Sequence, residues 1–183
     1  MKSVITLRGH HLLCLLTYVG AGYSEKFKEN FNAIVKALNH GHPARIVAGY
    51  DSICHNESIF FACPHMDSQK CKNIHEQEMD RLALADLSRH IGKPQKWELG
   101  SRLALTEPLT QRMRSAFAKG AIRRACRSCP WESLCTQIAQ DSFHQAKLFS
   151  PLAVRKNTPL SPLPKTLVIL PSNPPKDKEL FMG

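Results

Sequence analysis

The sequence predicts an α+β fold, predominantly helical: a small irregular domain with short strands and cysteine-bearing loops. Three observations carry that expectation. Several segments repeat apolar residues at three and four positions, two short runs have the β-branched content of strands, and seven cysteines fall into one single and two groups of three. A chain of 183 residues with 43% hydrophobic and 22% charged residues can bury a real core as one soluble domain.

Residues 3–8 (SVITLR) read as a strand that Gly9 breaks before His10. A buried helix is expected next, because Leu12, Leu13, Leu15 and Leu16 cover most of its circumference, and Gly20-Ala21-Gly22 is expected to end it. Ser24 as N-cap and Glu25 in the first turn open a helix to about Leu38, whose core stripe is Phe27, Phe31, Ile34, Val35 and Leu38. Residues 45–50 read as a second strand leading into Asp51-Ser52-Ile53-Cys54. Between Cys54 and Cys71 periodicity fades, and a loop of that length needs a reason to be ordered.

Asn73 can cap a helix through about His90, with Ile74, Met79, Leu82, Leu84 and Leu87 as its apolar side and Gly92-Lys93-Pro94 as its stop. Thr106-Glu107-Pro108 looks like another helix start, carrying Leu109, Met113 and Phe117 inward. A last helix, from Trp131 or Cys135 to Phe149, is expected to cover the final cysteine loop. Residues 151–183 hold seven of the twelve prolines and read as a disordered or extended tail outside a domain of residues 1–150. Within that tail only Leu167-Val168-Ile169-Leu170 could order itself, as an added strand or a docking peptide.

Cys126, Cys129 and Cys135, spaced by two and then five residues, can ligate one centre without long loops. They are one ligand short of the four that a zinc ion or a four-iron cluster takes. Cys54, Cys63 and Cys71 form a second trio, and Cys14 follows the pair His10-His11. An odd number of cysteines speaks against a closed disulfide framework, so the thiols read as reduced and the loops as metal-stapled. Structural zinc sites favour two short ligand pairs, and this chain has a single CxxC; wider spacings suit iron–sulfur. The expected cofactor is therefore an iron–sulfur cluster, 4Fe–4S, one or two per chain, with zinc as the alternative. Seven cysteines cannot fill two centres of four. Cys14 with one trio closes a site, and the other trio is left to complete itself with His10, His11, His65, water or substrate; which trio Cys14 joins stays open.

A net charge of +10 invites nucleic acid as a partner. The densest basic segment, Arg112, Arg114, Lys119, Arg123, Arg124 and Arg127, runs directly into the last trio. Four thiolates around a 2+ cluster core leave −2, so cations are expected there for the cluster's own sake. Nucleic acid is thus a partner that charge allows but no motif supports, and a redox protein is the partner that an electron-transfer role implies. Lys2 followed by Leu12 to Ala21 loosely imitates a secretory signal, but Arg8, His10 and His11 crowd its apolar part. No apolar run approaches the roughly 20 residues of a membrane span, so no membrane association and a cytoplasmic location are expected. There is no Gly-rich phosphate loop and no HExxH. A Cys14 nucleophile with His10 or His11 as base is a poor candidate, since a helix-buried thiol among metal ligands lacks reactivity. Whether the protein is an enzyme stays open. Two readings stand: an iron–sulfur protein in electron transfer or redox and sulfur chemistry, and a zinc- or cluster-stapled binding module with a basic surface.

Four stretches together resemble a bacterial and archaeal family catalogued as domain of unknown function 1284. They are Arg8-Gly9-His10-His11-Leu12-Leu13-Cys14, Gly20-Ala21-Gly22-Tyr23-Ser24, the segment Asp51-Ser52-Ile53-Cys54 with Cys63-Pro64-His65 and Cys71, and Cys126-x-x-Cys129-x-Trp131-x-x-Leu134-Cys135. The resemblance spans about residues 5 to 137 and implies iron–sulfur binding more than a reaction. In that family the first two cysteines of the middle trio stand as CxxC, whereas eight residues separate Cys54 from Cys63 here. Separately, the Cys126, Cys129, Cys135 spacing with a distant earlier cysteine looks like the iron–sulfur staple of RecB-type nucleases, without their acid-and-lysine motif.

Overall fold

The computed structural model describes residues 3–54, 74–93 and 95–149. Strands β1 (Ile5–Leu7), β2 (Ala44–Ile46) and β3 (Arg102–Leu103) form a sheet in that order, β1 parallel and β3 antiparallel to β2. Ile5 and Leu7 face the core beside Ala44 and Ile46, and Leu103 pairs with Ala44. The second strand begins one residue earlier than its sequence predicts and stops at Ile46. Val47 still donates to the Leu7 carbonyl at 3.0 Å, but Gly49, at φ +75°, turns the chain toward Asp51. β3 is new. Two residues carry no periodicity to read, and the strand is held by Ile46 N–H to Ser101 O and Gly100 N–H to Ile46 O.

Among the described residues there are five α-helices: α1 (Gly9–Thr17), α2 (Glu25–Asn39), α3 (Ile74–His90), α4 (Glu107–Ala118) and α5 (Glu132–Gln140). The caps of α2 and α4 are those expected: Ser24 Oγ accepts from Phe27 N–H and Thr106 Oγ1 from Leu109 N–H. α2 buries all five residues of its predicted stripe, and α4 buries Leu109, Met113 and Phe117.

Gly9 is the first residue of α1, not a break before it, and its role is close approach. A Cβ there would lie 2.6 Å from the Asp80 carbonyl oxygen and 2.9 Å from Leu84 Cγ, so glycine lets α1 and α3 meet. α1 stops at Thr17, before the predicted glycine terminator. The Arg114 guanidinium reaches its end and donates to Leu16 O at 3.3 Å, a cation at the carbonyl-rich end of the helix dipole. Arg114 is itself buried and also donates to Leu148 O at 2.7 Å and Phe149 O at 3.4 Å, tying the 146–149 segment to α4.

α3 buries Leu87 as its pattern predicts but covers the rest of that side only partly. Asp80, Ala83, Asp86 and Leu87 are its buried positions, while Met79, Leu82 and Leu84 are only partly covered. The two acids are paired: Asp80 with Arg8, and Asp86 with Arg124 at 2.6 Å. The last helix is also shorter than predicted. Ser142 and Phe143 take left-handed φ values of 53° and 59°, and Phe143 N–H closes back on Ile138 O at 2.8 Å. The chain then folds back and buries Phe143, Ala146 and Leu148. No glycine or proline marks that reversal. The expected tail of residues 151–183 and the loop bearing Cys63, His65 and Cys71 lie outside the described residues. No helix among the described residues is long and apolar enough to cross a membrane.

Candidate metal centre

Cys14 lies on α1 behind the buried leucines, and the last trio lies on the 3-10 turn Arg124–Cys126, the tight turn after it and α5. Backbone turns gather the trio: Cys129 N–H donates to Cys126 O at 3.1 Å and Cys135 N–H to Trp131 O at 2.9 Å. α1 and α5 are then locked by Thr17, whose hydroxyl donates to Cys135 Sγ at 3.2 Å. Thr17 is one turn beyond Cys14, so this contact brings Cys14 to the trio. Four partly buried thiols converge from the two ends of the domain, and Cys14, Cys126 and Cys135 stand as thiols.

Their electrostatics follow from that convergence. Burial pushes the Cys14 thiol well above its ordinary value, and the neighbouring Cys129, Cys135 and Cys126 push it further. Burial, then Cys129 and Cys135, raise the Cys126 thiol to about 12, against an opposing Arg123. Cys135 is raised by burial and eased by the Thr17 hydroxyl and Arg123. As thiolates these groups repel one another in a poorly hydrated place. A multivalent cation would reverse both penalties, and four sulfur donors are the number that zinc or a four-iron cluster takes. Arg123 is fixed for its part: it stacks on Phe117, 4.6 Å from the ring centre, and donates to Thr136 Oγ1 at 2.8 Å. Trp131, half-buried between Cys129 and Cys135, meets Tyr23 edge-on at 5.5 Å.

A second group sits at the start of α1. The ligand atoms that His11, Asp51 and Cys54 can offer all lie within 4.8 Å of one another, and no other set of three His, Cys, Asp or Glu side chains among the described residues is so close. The four thiols are therefore set more widely than this group. Asp51 is buried at the positive end of α1. Its Oδ2 accepts from Arg8 N–H and His11 Nδ1, both at 2.7 Å, and its Oδ1 from the N–H groups of Ile53 and Cys54 at 3.0 and 3.1 Å. Burial opposes the charge on Asp51, but His11 and these N–H groups outweigh it and hold the carboxyl down at about 2.

Asp80 does the same work on the next N–H groups. It accepts from His10 N–H at 3.1 Å, from His10 Nδ1 at 2.7 Å and from the Arg8 guanidinium. Burial, then the adjacent His11, push His10 down to about 4, with Asp80 only partly offsetting them, so His10 is neutral at pH 7. The structure thus separates the predicted extra ligands: His11 joins Cys54, His10 is held by Asp80, and His65 lies outside the described residues. Arg123 belongs to the basic segment that the sequence sets beside the last trio, whereas Thr17, Asp51 and Asp80 carry no role in the sequence reading. Asp51 alone had a signal, as an Asp three residues before a ligand-type cysteine in a turn.

The basic segment is largely engaged by the protein itself. Arg112 donates to Ile91 O at 2.7 Å, Arg114 and Arg123 bond as described, and Arg124 pairs with Asp86. Lys119 and Arg127 are exposed.

Residues 22–135 match the family described as protein of unknown function (DUF1284). Neither a curated protein nor a solved structure matches the chain.

Proposed function

The chain belongs to the DUF1284 family, and from that premise we propose that it is an iron–sulfur protein in which Cys14, Cys126, Cys129 and Cys135 hold a four-iron cluster serving electron transfer or redox and sulfur chemistry. The observation that carries this reading is the arrival of Cys14 beside the last trio, which supplies the fourth soft donor. A single zinc ion with Zn–S bonds of about 2.3 Å would draw four sulfurs to about 3.8 Å from one another. The single CxxC and the wide spacing of the other two thiols along the chain suit the larger iron–sulfur core better. When bound, such a cluster supplies one-electron redox chemistry. Around it, Arg123 compensates negative charge, Thr17 donates to one sulfur, and Trp131 and Tyr23 limit water.

Reduced thiols of this kind suit the cytoplasm, and the partial exposure of all four leaves a path for a redox partner protein. The reading of a zinc- or cluster-stapled module engaging nucleic acid keeps only part of its basis, because four of the six basic side chains of the segment already bond within the protein, although Arg112 and Arg124 remain exposed. Anaerobic purification tests the proposal. The expected result is a brown protein with about four irons and matching acid-labile sulfide, both lost in Cys14→Ser and Cys126→Ser. A colourless protein holding zinc alone overturns it.

A further inference from the structure

We propose that His11, Asp51 and Cys54 form a second, mononuclear site for a divalent transition metal ion of the zinc or iron(II) class, beside the four-thiol centre and independent of what that centre holds. Three different donor types, an imidazole, a carboxylate and a thiol, present ligand atoms within 4.8 Å of one another. Asp51 and Cys54 are each 3% exposed and His11 is half-buried, so this is not the loose acidic cluster common on surfaces. The mixture selects the ion. All-oxygen sites suit magnesium and calcium and all-sulfur sites suit copper(I), whereas nitrogen, oxygen and sulfur together suit borderline divalent ions.

The donors are also pre-positioned. His11 comes from the first turn of α1, and Asp51 is fixed by the backbone N–H groups of Arg8, Ile53 and Cys54. Asn30 of α2 clamps the intervening turn by donating to Ser52 O at 2.9 Å and Ile53 O at 3.1 Å. An ion would take the place on Oδ2 that His11 Nδ1–H now occupies at 2.7 Å. The imidazole proton moves to Nε2, the Cys54 thiol releases its proton to water, and the carboxylate and thiolate together neutralise the 2+ charge. The described residues supply three of the four ligands of a tetrahedral ion. Cys14 is one helical turn along α1 from His11, so the ion would lie next to the four-thiol centre.

The test uses the full chain, purified anaerobically, washed with EDTA and titrated with cobalt(II). One equivalent is expected to bind with the visible d–d bands of four-coordinate cobalt. Cys54→Ser and His11→Gln are expected to lose that uptake while iron and labile sulfide stay at the wild-type level; should one variant not fold, the other carries the comparison. Absence of cobalt uptake in the wild type, or uptake that survives both substitutions, overturns the site. Uptake lost in Cys129→Ser but kept in Cys54→Ser also overturns it, since the ion would then belong to the four thiols. A chain without iron or sulfide that still takes cobalt through Cys54 would remove the cluster reading and leave this site standing.

Discussion

The Thr17 hydroxyl donates to Cys135 Sγ at 3.2 Å, a contact between residues 118 positions apart that fixes α1 against α5. In the proposed cluster a hydrogen bond to a sulfur ligand would favour the reduced, more negative state and so raise the potential. Thr17→Val keeps the side-chain shape and removes the donor. The expected outcome is an intact fold, a stability loss of about 1 kcal/mol and a lower midpoint potential in a redox titration followed by EPR. A potential equal to that of the wild type would show that the hydroxyl serves packing alone.

Gly9→Ala sets two effects against each other. Alanine is preferred to glycine within a helix by about 1 kcal/mol, whereas forcing an extra methyl into a packed contact costs about 1–3 kcal/mol. The new Cβ would meet a backbone oxygen of α3 at 2.6 Å, which cannot rotate away. Net destabilisation is therefore expected in urea unfolding. A more stable variant would mean that α1 and α3 can separate at little cost.

Asp80→Ala should be among the most damaging single changes outside the cysteines. Arg8 is 1% exposed, and its guanidinium would lose the carboxylate that faces it at 2.7 Å, for a cost of about 3–5 kcal/mol. Burial opposes ionisation of Asp80, but hydrogen bonds and charge from His10 and Arg8 hold its carboxyl below the ordinary 3.8. The linked stability is present above pH 3.8 and drains away below it as the folded carboxyl is protonated. Asp80→Asn should therefore unfold with a flatter acid limb in a pH series.

Tyr18 gives the opposite limb. Its hydroxyl donates to Lys28 O at 3.1 Å and Asn32 Oδ1 at 3.2 Å, and burial pushes its pKa from 10.0 to about 12. The neutral phenol is favoured in the fold, so its contribution is whole below pH 10 and is lost between pH 10 and 12, on the order of 2 kcal/mol. An ultraviolet titration should show one tyrosine ionising late. Tyr18→Phe should abolish that late step and make alkaline unfolding less steep.

The parts of this fold that could be read from residues are those specified locally. α2 and α4 carry their own caps and stripes within one turn of chain, and the last trio declares itself by spacing. What escaped the sequence depends on long-range pairing. Asp80 and Asp86 look like solvent-facing acids of α3 until Arg8 and Arg124 are placed against them. Gly9 looks like a break until α3 packs on it. The partner of Cys14 is open in the sequence for the same reason: the contact of α1 with α5 sets it beside the last trio, while Cys63 and Cys71 of the first lie outside the described residues. The reversal at Ser142 and Phe143 has no sequence mark because ordinary residues take left-handed backbone there, held by the buried rings and carbonyls around them.

The distance along the chain between Cys14 and its three companions has a consequence for synthesis. A ribosome delivers Cys14 long before Cys135, so the four thiols can meet only after the 121 residues from Cys14 to Cys135 have followed. Until then Cys14 stands in a leucine-rich segment without the three thiols that the fold later sets beside it. Whatever loads the proposed centre therefore needs the contact of α1 with α5 to have formed, and closing so large a loop makes loading a late step of maturation.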